Sequence, residues 1–344
     1  MTRPEGTNAR RGMPHSSVIA ATAFAYPSEL VTNAMYAERC RFTPAASFAE
    51  LAEESGVRTR RWCLPHENTR TLTDAVVAKL VSASPELVAE IDVVVVASGT
   101  TLNIAHPSDP NNRVVADLSP FVLEGLGRNR ALGLDIKSCY CSGFLRGVQV
   151  VDGLLANENY RAALLIAVEQ GSRFALAPSN RTSFCFIVAD AAGAVVFRRE
   201  ARREGAGVLD YVGHTEVDKW NWVGIGEDAA SITMLGSQAA NATRELLVEC
   251  GRTLLRRNGL TPRDVTWLLP IQTHAGLLAA VKRELEWPEE RVLWSGDVNG
   301  FSGSASIPSC LAEQAAQGRV QRGDLVLSLA VGAGLNCAGA LYRF

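Results

Sequence analysis

Runs of apolar, β-branched residues alternate along the chain with segments whose apolar residues recur at helical spacing. The clearest strand is predicted over residues 91–98, where four consecutive valines precede Gly99. Further strands are predicted over residues 132–137, 161–168, 184–189, 193–198, 265–270 and 324–330, and helices over residues 72–83, 110–125, 142–157, 236–259, 274–286 and 304–317. This alternation predicts an α/β fold built on largely parallel sheets.

A weak internal repeat divides the chain into two similar parts. Residues 132–168 follow the order strand, small-residue turn, helix and strand, and residues 292–330 follow the same order. The repeat predicts an N-terminal half over residues 17–200 and a C-terminal half over residues 205–344. Residues 205–237, between the repeats, are predicted as a loop or cap. Its Trp220 and Trp222 either line a ligand site or pack in the core or an interface.

The N-terminus is polar before its first apolar run. We predict a disordered tail over residues 1–16 and a first buried strand that starts near Val18. Arginines followed by an apolar run also resemble a signal peptide, which is the alternative interpretation. The run contains no leucine before Phe24 and ends at Pro27, which favours the strand.

Composition excludes several classes of function. The 344 residues carry 34 Lys and Arg against 36 Asp and Glu, a net charge of −2. This balance argues against a nucleic-acid-binding face and against a polybasic membrane-surface protein. With 47% apolar and 20% charged residues, the chain has a globular composition. It contains no run of about 18 apolar residues, so no membrane-spanning helix is predicted and we expect a cytoplasmic protein.

The eight cysteines are scattered and form no CxxC pair. They stand at positions 40, 63, 139, 141, 185, 250, 310 and 337. We therefore expect reduced thiols, as in a cytoplasm, rather than a disulfide framework. Without CxxC pairs and with five scattered histidines, no metal site is predicted.

Cys141 is the candidate nucleophile. It follows a predicted strand and opens a predicted helix, whose free N–H groups and positive dipole end stabilise a thiolate. Ser142 and Gly143 are small and let a substrate approach, and the same backbone N–H groups can hold an oxyanion. The alternative is a buried structural cysteine, which is the ordinary state of a free thiol.

Several motifs in order resemble the ketoacyl-ACP synthase III family of the thiolase fold. The nucleophile segment is Asp135-Ile-Lys-Ser-Cys-Tyr-Cys-Ser-Gly-Phe144. The other matching motifs are Gly56-Val-Arg-Thr-Arg60, Asp190-Ala-Ala-Gly-Ala194, Ser304-Ala-Ser-Ile-Pro308, Gly332-Ala-Gly-Leu335 and Gly339-Ala-Leu-Tyr-Arg-Phe344. The resemblance runs from about residue 17 to residue 344. It implies a five-layer αβαβα fold of two duplicated halves, a homodimer, and no cofactor beyond an acyl thioester on the phosphopantetheine of a carrier protein or CoA.

Two of the three catalytic positions of that family differ here. The family carries Cys, His and Asn, whereas Pro270-Ile-Gln-Thr-His274 places Ile271 at the His position and Gly300-Phe-Ser-Gly303 places Phe301 at the Asn position. Those two side chains hold the thioester oxygen during malonyl decarboxylation, and Ile and Phe cannot donate a hydrogen bond. We therefore expect normal malonyl condensation to be impaired. Acyl transfer onto Cys141 needs only a thiolate, a proton shuttle and an oxyanion hole, which the resemblance assigns to the backbone N–H groups of Cys141 and Ala333.

His274 is the candidate replacement base. It lies three residues after Ile271, about one helical turn, and the corresponding family position lines the pantetheine tunnel. We predict a proton relay from Cys141 to His274, directly or through a water or the acceptor. The alternative is a histidine bonded locally at a helix start. Asp297 and Asn299 either orient a base or act as turn and cap residues.

Three further residues enter through the resemblance. His106 matches an aromatic residue that floors the partner subunit's acyl pocket. A histidine there suggests a shorter or more polar acyl group, or a proton donor from the other subunit, with a plain loop residue as the alternative. Arg181 keeps one basic contact for the donor, while Glu50 and Glu54 stand where the family grips the CoA nucleotide. These losses favour a carrier-protein thioester or another donor over CoA. Cys139 is the less favoured alternative nucleophile, because Ser-Gly-Phe follows Cys141.

Three hypotheses follow from the sequence. The preferred one is an acyltransferase that loads an acyl group from an acyl carrier protein or CoA onto Cys141 and passes it to a small-molecule acceptor in specialised metabolism. The second is a carbon–carbon condensing enzyme that uses His274 and His106 in place of the missing pair. The third is a non-catalytic or half-active subunit that forms a heterodimer with a complete homologue; Ile271 and Phe301 favour it, and the retained Cys141 opposes it.

Overall fold

The computed structural model describes residues 8, 10, 12–101, 104–105, 114–115, 117–137, 140–228 and 230–344. The strands are β1 (His15–Ala25), β2 (Glu29–Thr32), β3 (Thr59–Trp62), β4 (Ile91–Ala97), β5 (Ile104–Ala105), β6 (Val114–Val115), β7 (Leu132–Ile136), β8 (Ala162–Gln170), β9 (Asp190–Ala201), β10 (Val208–Thr215), β11 (Val223–Ile225), β12 (Ile232–Met234), β13 (Trp267–Pro270), β14 (Leu325–Gly332) and β15 (Asn336–Arg343). The helices are α1 (Asn33–Arg39), α2 (Phe48–Ser55), α3 (Thr69–Ala83), α4 (Pro85–Ala89), α5 (Ser119–Gly125), α6 (Gly143–Leu154), α7 (Ser172–Ala175), α8 (Gly236–Asn258), α9 (Ala275–Leu285), α10 (Gly296–Asn299) and α11 (Ser306–Ala316).

The two large sheets repeat one topology. The first has the order β1-β9-β8-β4-β7 and the second the order β10-β15-β14-β13. In each sheet the first strand is antiparallel to the second, and the second is antiparallel to the third. The fourth strand then runs parallel to the third. All strands of the first sheet precede residue 205 in the chain, and all strands of the second sheet follow it. The predicted α/β fold of two duplicated halves is confirmed.

Helices separate and cover the two sheets in five layers. α3 and α5 pack on the outer face of the first sheet, α6 and α11 lie between the sheets, and α8 covers the outer face of the second sheet with α9 beside it. The central strands β4 and β8 are buried along almost their whole length, as expected for parallel strands covered on both faces. Close packing of α11 on β9 requires Gly193, because a Cβ there would lie 2.4 Å from the backbone nitrogen of Ser309.

The sequence prediction fails in two apolar segments. The strand predicted over residues 184–189 is a 3-10 turn over Ser183–Phe186, which Thr182 caps by accepting from the Phe184 N–H. Phe186 is buried in the core and Phe184 is half-buried against it, so both positions are apolar, and burial alone does not select a strand. The loop or cap predicted over residues 205–237 contains β10, a strand of the second sheet, and the hairpin β11–β12. Trp220 is 71% exposed, whereas Trp222 packs on the core.

The predicted disordered tail over residues 1–16 is too long. β1 begins at His15, and Arg10 is only 5% exposed. The Arg10 guanidinium donates a 2.8 Å hydrogen bond to the buried Asp152 carboxylate and bonds the Val208 carbonyl. This ion pair fixes Arg10 to a residue far away in the chain, and local composition does not reveal it.

One pair of cysteines differs from the expectation of reduced thiols. Cys250 of α8 and Cys337 of β15 form a disulfide, because α8 packs directly on β15. His214 lies beside this pair, but sulfur atoms that are bonded to each other do not serve as thiolate ligands. In the described ranges of the chain, no helix is both long and apolar enough to cross a membrane.

Candidate functional site

Cys141 lies in a tight turn between β7 and α6. β7 ends at Ile136, and a 3-10 turn over Tyr140–Ser142 leads directly into α6 at Gly143. Tyr140 adopts a positive φ of 37°, which turns the chain sharply just before the cysteine. Phe144, in the first turn of α6, is buried in the core and anchors the helix start. The cysteine is therefore presented at the start of the helix, as the sequence predicts.

Two cavities meet at Cys141. The first, of about 240 Å³, is lined partly by α8 and α9, and we call it the α8–α9 cavity. The second, of about 100 Å³, is lined mainly by apolar side chains and by Glu169, and we call it the Glu169 cavity. Both cavities are lined by Cys141, Phe184, Val223, Phe301 and Ala333. The thiol thus stands where the two spaces join.

The structure brings most of the predicted site residues together. Cys141, Ile271, His274, Phe301 and Ala333 all line the α8–α9 cavity, although they come from both halves of the chain. Ala333 directly follows β14, in the loop before Gly334, whose φ is +101°. Ala333 thus lines the same space as the thiol, where the resemblance expects an oxyanion hole.

Two other predicted binding residues are not at this site. Arg181 lines neither cavity, and its guanidinium donates to the carbonyl oxygens of Pro178 and Asn180 at 2.9 and 2.7 Å. The structure thus uses this arginine within its own loop. His106 and Cys139 lie outside the described residues.

Asp297 and Asn299 make structural contacts and do not orient a catalytic base. The Asp297 carboxylate forms a 2.7 Å ion pair with Arg58. The Asn299 side chain donates a 3.0 Å hydrogen bond to Glu313 of α11. Neither residue lines either cavity, so their turn and bridging contacts account for them.

Ile271 and Phe301 place apolar surface beside the thiol. Both side chains are buried, at 4% and 3% exposure. The Ile271 N–H bonds the Leu329 carbonyl at 2.8 Å, and Phe301 packs edge-on against Phe184 with ring centroids 5.4 Å apart. These contacts hold both residues against the cavities as hydrophobic walls. They supply no side-chain hydrogen-bond donor to a substrate.

The Cys141 thiol resists ionisation. Burial raises its pKa to about 12, and the nearby Glu169 carboxylate adds to the shift. Its own backbone N–H acts in the opposite direction but is the smaller effect. Desolvation and this neighbouring charge oppose the thiolate that the sequence analysis expects at the helix start, and a base beside the thiol would assist its reaction.

His274 caps α9 with one of its ring nitrogens. Nδ1 accepts a 3.1 Å hydrogen bond from the Leu277 N–H. Burial lowers the pKa of His274, which keeps the ring neutral near pH 7. A neutral ring that accepts at Nδ1 carries its proton on Nε2. The local cap therefore leaves His274 a hydrogen-bond donor and works against its use as a base.

Glu169 is a buried carboxyl that the sequence analysis does not identify. It stands near the end of β8, is 3% exposed, and lines the cavity that bears its name beside Cys141. Burial raises the pKa of Glu169, partly offset by the hydrogen bonds that it accepts. The only sequence signal is an acidic residue that follows the apolar run Ala162–Val168 in a predicted buried strand.

Comparisons with known proteins agree with the fold and with the motifs. The family model described as 3-Oxoacyl-[acyl-carrier-protein (ACP)] synthase III matches residues 134–216, and its C-terminal counterpart matches residues 255–344. The beta-ketoacyl-[acyl-carrier-protein] synthase III of Alkalilimnicola ehrlichii is 30% identical over 306 residues, which cover 86% of this chain and 90% of that protein.

Solved structures show the same architecture. The 3-oxoacyl-(acyl carrier protein) synthase III of Pseudomonas aeruginosa superposes with a TM-score of 0.82 at 26% identity and covers 96% of this chain and 98% of its own. The priming β-ketosynthase of a polyketide biosynthetic pathway gives a TM-score of 0.82 at 22% identity, over 100% of this chain and 98% of its own. The chain belongs to the β-ketoacyl-[acyl-carrier-protein] synthase III family and has its thiolase fold.

Proposed function

We propose that this enzyme is an acyltransferase that takes a short acyl group from a thioester onto Cys141 and passes it to a small acceptor. One observation carries the proposal: Cys141 lies where two cavities meet, and the apolar side chains of Ile271 and Phe301 line the space beside it. The cysteine can accept an acyl group. Decarboxylation of a malonyl group requires hydrogen-bond donors, and Ile271 and Phe301 stand where the family has them.

The two cavities suggest a division of roles. The α8–α9 cavity admits the thioester arm, and the Glu169 cavity holds the acyl group. A space of about 100 Å³ is close to three water volumes, which suits an acyl chain of roughly three to five heavy atoms. The backbone N–H groups of Cys141 and Ala333 hold the oxyanion that forms on attack. His274 contributes an Nε2–H donor to the bound thioester or acceptor.

A carrier protein is the donor that the charges favour. In the described lining of the α8–α9 cavity, Arg244 is the cationic side chain, and it is paired with Glu284. Glu50, at a position where the family contacts the CoA nucleotide, closes a capping box with Ser47. This surface offers little positive charge to a CoA nucleotide, whereas a phosphopantetheine arm is mostly uncharged beyond its phosphate. We further propose a homodimer and a role in specialised metabolism, in keeping with the polyketide enzyme that shares the fold.

The decisive experiment follows the mass of the intact protein after incubation with short acyl-CoAs and acyl carrier proteins. Wild type and Cys141→Ser are compared under the same conditions. An acyl adduct on the wild type alone supports the proposal and identifies the donor class. Malonyl-dependent release of carbon dioxide would instead favour condensation, the reaction in the relatives' names. Loading of neither donor class, with co-purification of a homologous chain, would favour a partner subunit.

A further inference from the structure

Glu169 is held as a carboxylate by hydrogen-bond donors, although it is buried. Oε1 accepts from the Ser304 hydroxyl at 2.6 Å, and Oε2 accepts from the Thr100 hydroxyl at 2.5 Å. The backbone N–H groups of Gly99 and Thr100 donate at 3.0 and 2.9 Å. Across the described parts of the chain, no ion pair joins Glu169 to a cation. A buried carboxyl without a cationic partner is costly, and its retention calls for an explanation.

Among the described residues that line the two cavities, Glu169 is the side chain best suited to accept the proton of the Cys141 thiol. The family histidine is replaced by Ile271, and the cap hydrogen bond at Nδ1 leaves His274 with its proton on Nε2. Glu169, Cys141 and Tyr140 line the same small cavity, and the Glu169 charge raises the pKa of the Cys141 thiol and of the Tyr140 phenol.

We propose that Glu169 is a catalytic residue of this enzyme, the general base that removes the proton of the Cys141 thiol and later returns it. The assignment rests on the proposed acyl transfer and deepens it. Thr100 and Ser304 act as positioning residues, because their hydroxyls bond one carboxylate oxygen each and fix the plane of the group. Glu169 comes from the N-terminal half and Ser304 from the C-terminal half, so the base is oriented only in the complete fold.

The proposed step conserves protons throughout. The Cys141 sulfur attacks the thioester carbonyl as its proton passes to Glu169, and the new C–S bond gives a tetrahedral oxyanion. This intermediate collapses, the old C–S bond breaks, and Glu169 protonates the departing pantetheine thiolate. In the second half, Glu169 takes a proton from the acceptor as the acceptor attacks the acyl group, and the Cys141 thiolate that leaves recovers that proton.

The first test compares Glu169→Gln with Asp190→Asn. Asp190 is also a buried carboxyl that accepts only neutral donors, from Cys63 and Ser172, but it lines neither cavity. Single-turnover acylation is followed by intact mass, with acetyl and propionyl thioesters of CoA and of N-acetylcysteamine as donors. We expect Glu169→Gln to slow acylation by about 10²-fold or more and Asp190→Asn to change it by less than about threefold. Equal rates in Glu169→Gln and wild type would overturn the assignment.

The pH profile separates a base from a merely structural residue. The charged or titratable groups near Glu169 are Cys141, Tyr140 and Arg173, whose guanidinium bonds the Thr100 carbonyl. In the wild type, acylation is expected to rise with pH as the carboxyl ionises and then to level off. In Glu169→Gln it is expected to rise without that plateau, because hydroxide must form the thiolate. Partial recovery of Glu169→Ala by added formate would support the role, and a plateau unchanged in Glu169→Gln would contradict it.

A second readout needs no acyl donor. The rate of Cys141 alkylation by iodoacetamide, followed on the peptide that contains it, reports its thiolate fraction. Loss of the Glu169 charge is expected to raise that rate at pH 8.5 by at least about fivefold in Glu169→Gln and not in Asp190→Asn. If no donor acylates the wild type, the proposed transferase fails, while this measurement still tests whether the Glu169 charge acts on the thiol, as the assignment requires. Acceleration in Glu169→Gln supports the placement of that charge beside Cys141, and an unchanged rate overturns the assignment.

Discussion

The Ser304 hydroxyl donates a 2.6 Å hydrogen bond to Glu169 Oε1 and so connects the turn before α11 to the end of β8. The contact joins the two halves of the chain next to Cys141. Both groups are buried, so the bond is shielded from water and is worth more than a surface contact. The state of the carboxyl therefore depends on a residue 135 positions away in sequence.

Ser304→Ala is expected to move the pH dependence of acylation upward. The hydroxyl favours the ionised carboxylate, so its loss raises the pKa of Glu169 further and moves the acidic limb of the acylation profile to higher pH. We expect slower acylation on that limb, with recovery toward the wild-type rate as the pH rises. Ser309→Ala is the matched control, because Ser309 donates to the Ala305 carbonyl within α11. The same profile in both variants would argue against the Ser304–Glu169 contact.

His274→Asp is expected to separate the two roles of this residue. Aspartate caps a helix well and still accepts from the Leu277 N–H, but it has no N–H to offer a substrate. We expect a free energy of unfolding within about 0.5 kcal/mol of wild type and a loss of acyl transfer to the acceptor. His274→Ala removes the cap as well and is expected to cost about 1 kcal/mol by urea unfolding. Full transfer activity in His274→Asp would show that the Nε2–H is dispensable.

Restoring the family residues at the two apolar walls is expected to restore decarboxylation. Ile271→His with Phe301→Asn returns hydrogen-bond donors to the space beside Cys141. Release of carbon dioxide from a malonyl thioester is the measurement, with the same double variant carrying Cys141→Ser for comparison. We expect release from the double variant above that of wild type. The loss of the Phe301–Phe184 contact is expected to lower stability by about 3 kcal/mol, so unfolding is measured in parallel.

If the wild type already releases carbon dioxide at the rate of the double variant, the apolar walls do not prevent condensation. The acyltransferase assignment would then give way to the condensing alternative. The comparison therefore tests the proposed function through residues different from the nucleophile.

The free energy of unfolding is expected to fall less between pH 4 and pH 7 in Asp190→Asn than in the wild type. Burial raises the pKa of Asp190 to about 6, above its usual value near 3.8. A carboxyl whose folded-state pKa is raised stabilises the fold fully below the unfolded pKa, and this contribution is lost as pH rises through the folded pKa. Two pKa units correspond to about 3 kcal/mol, lost between about pH 4 and pH 6. Urea unfolding at pH 4 and pH 7 measures the difference, and a wild-type slope in the variant would refute the shift.

Much of the framework follows from local patterns. The four valines of β4 and the apolar run of β8 identify central strands, because a strand covered on both faces must be apolar throughout. The small residues between β7 and α6 predict the tight turn that carries Cys141. The run over residues 184–189 misled the prediction because an apolar run records burial, and buried turns need it as much as strands do.

The chemistry of the site depends on contacts between distant residues. The identity of Cys141, Ile271, Phe301 and His274 as neighbours was predictable from motif order, since a duplicated fold fixes where its loops meet. Which of these groups carries a proton was not predictable from the sequence. The pKa of Cys141 depends on its burial and on Glu169, and the tautomer of His274 depends on one backbone hydrogen bond. Desolvation and hydrogen-bond geometry are properties of packed atoms, so only the tertiary structure decides which group can hold a proton and which must give one up.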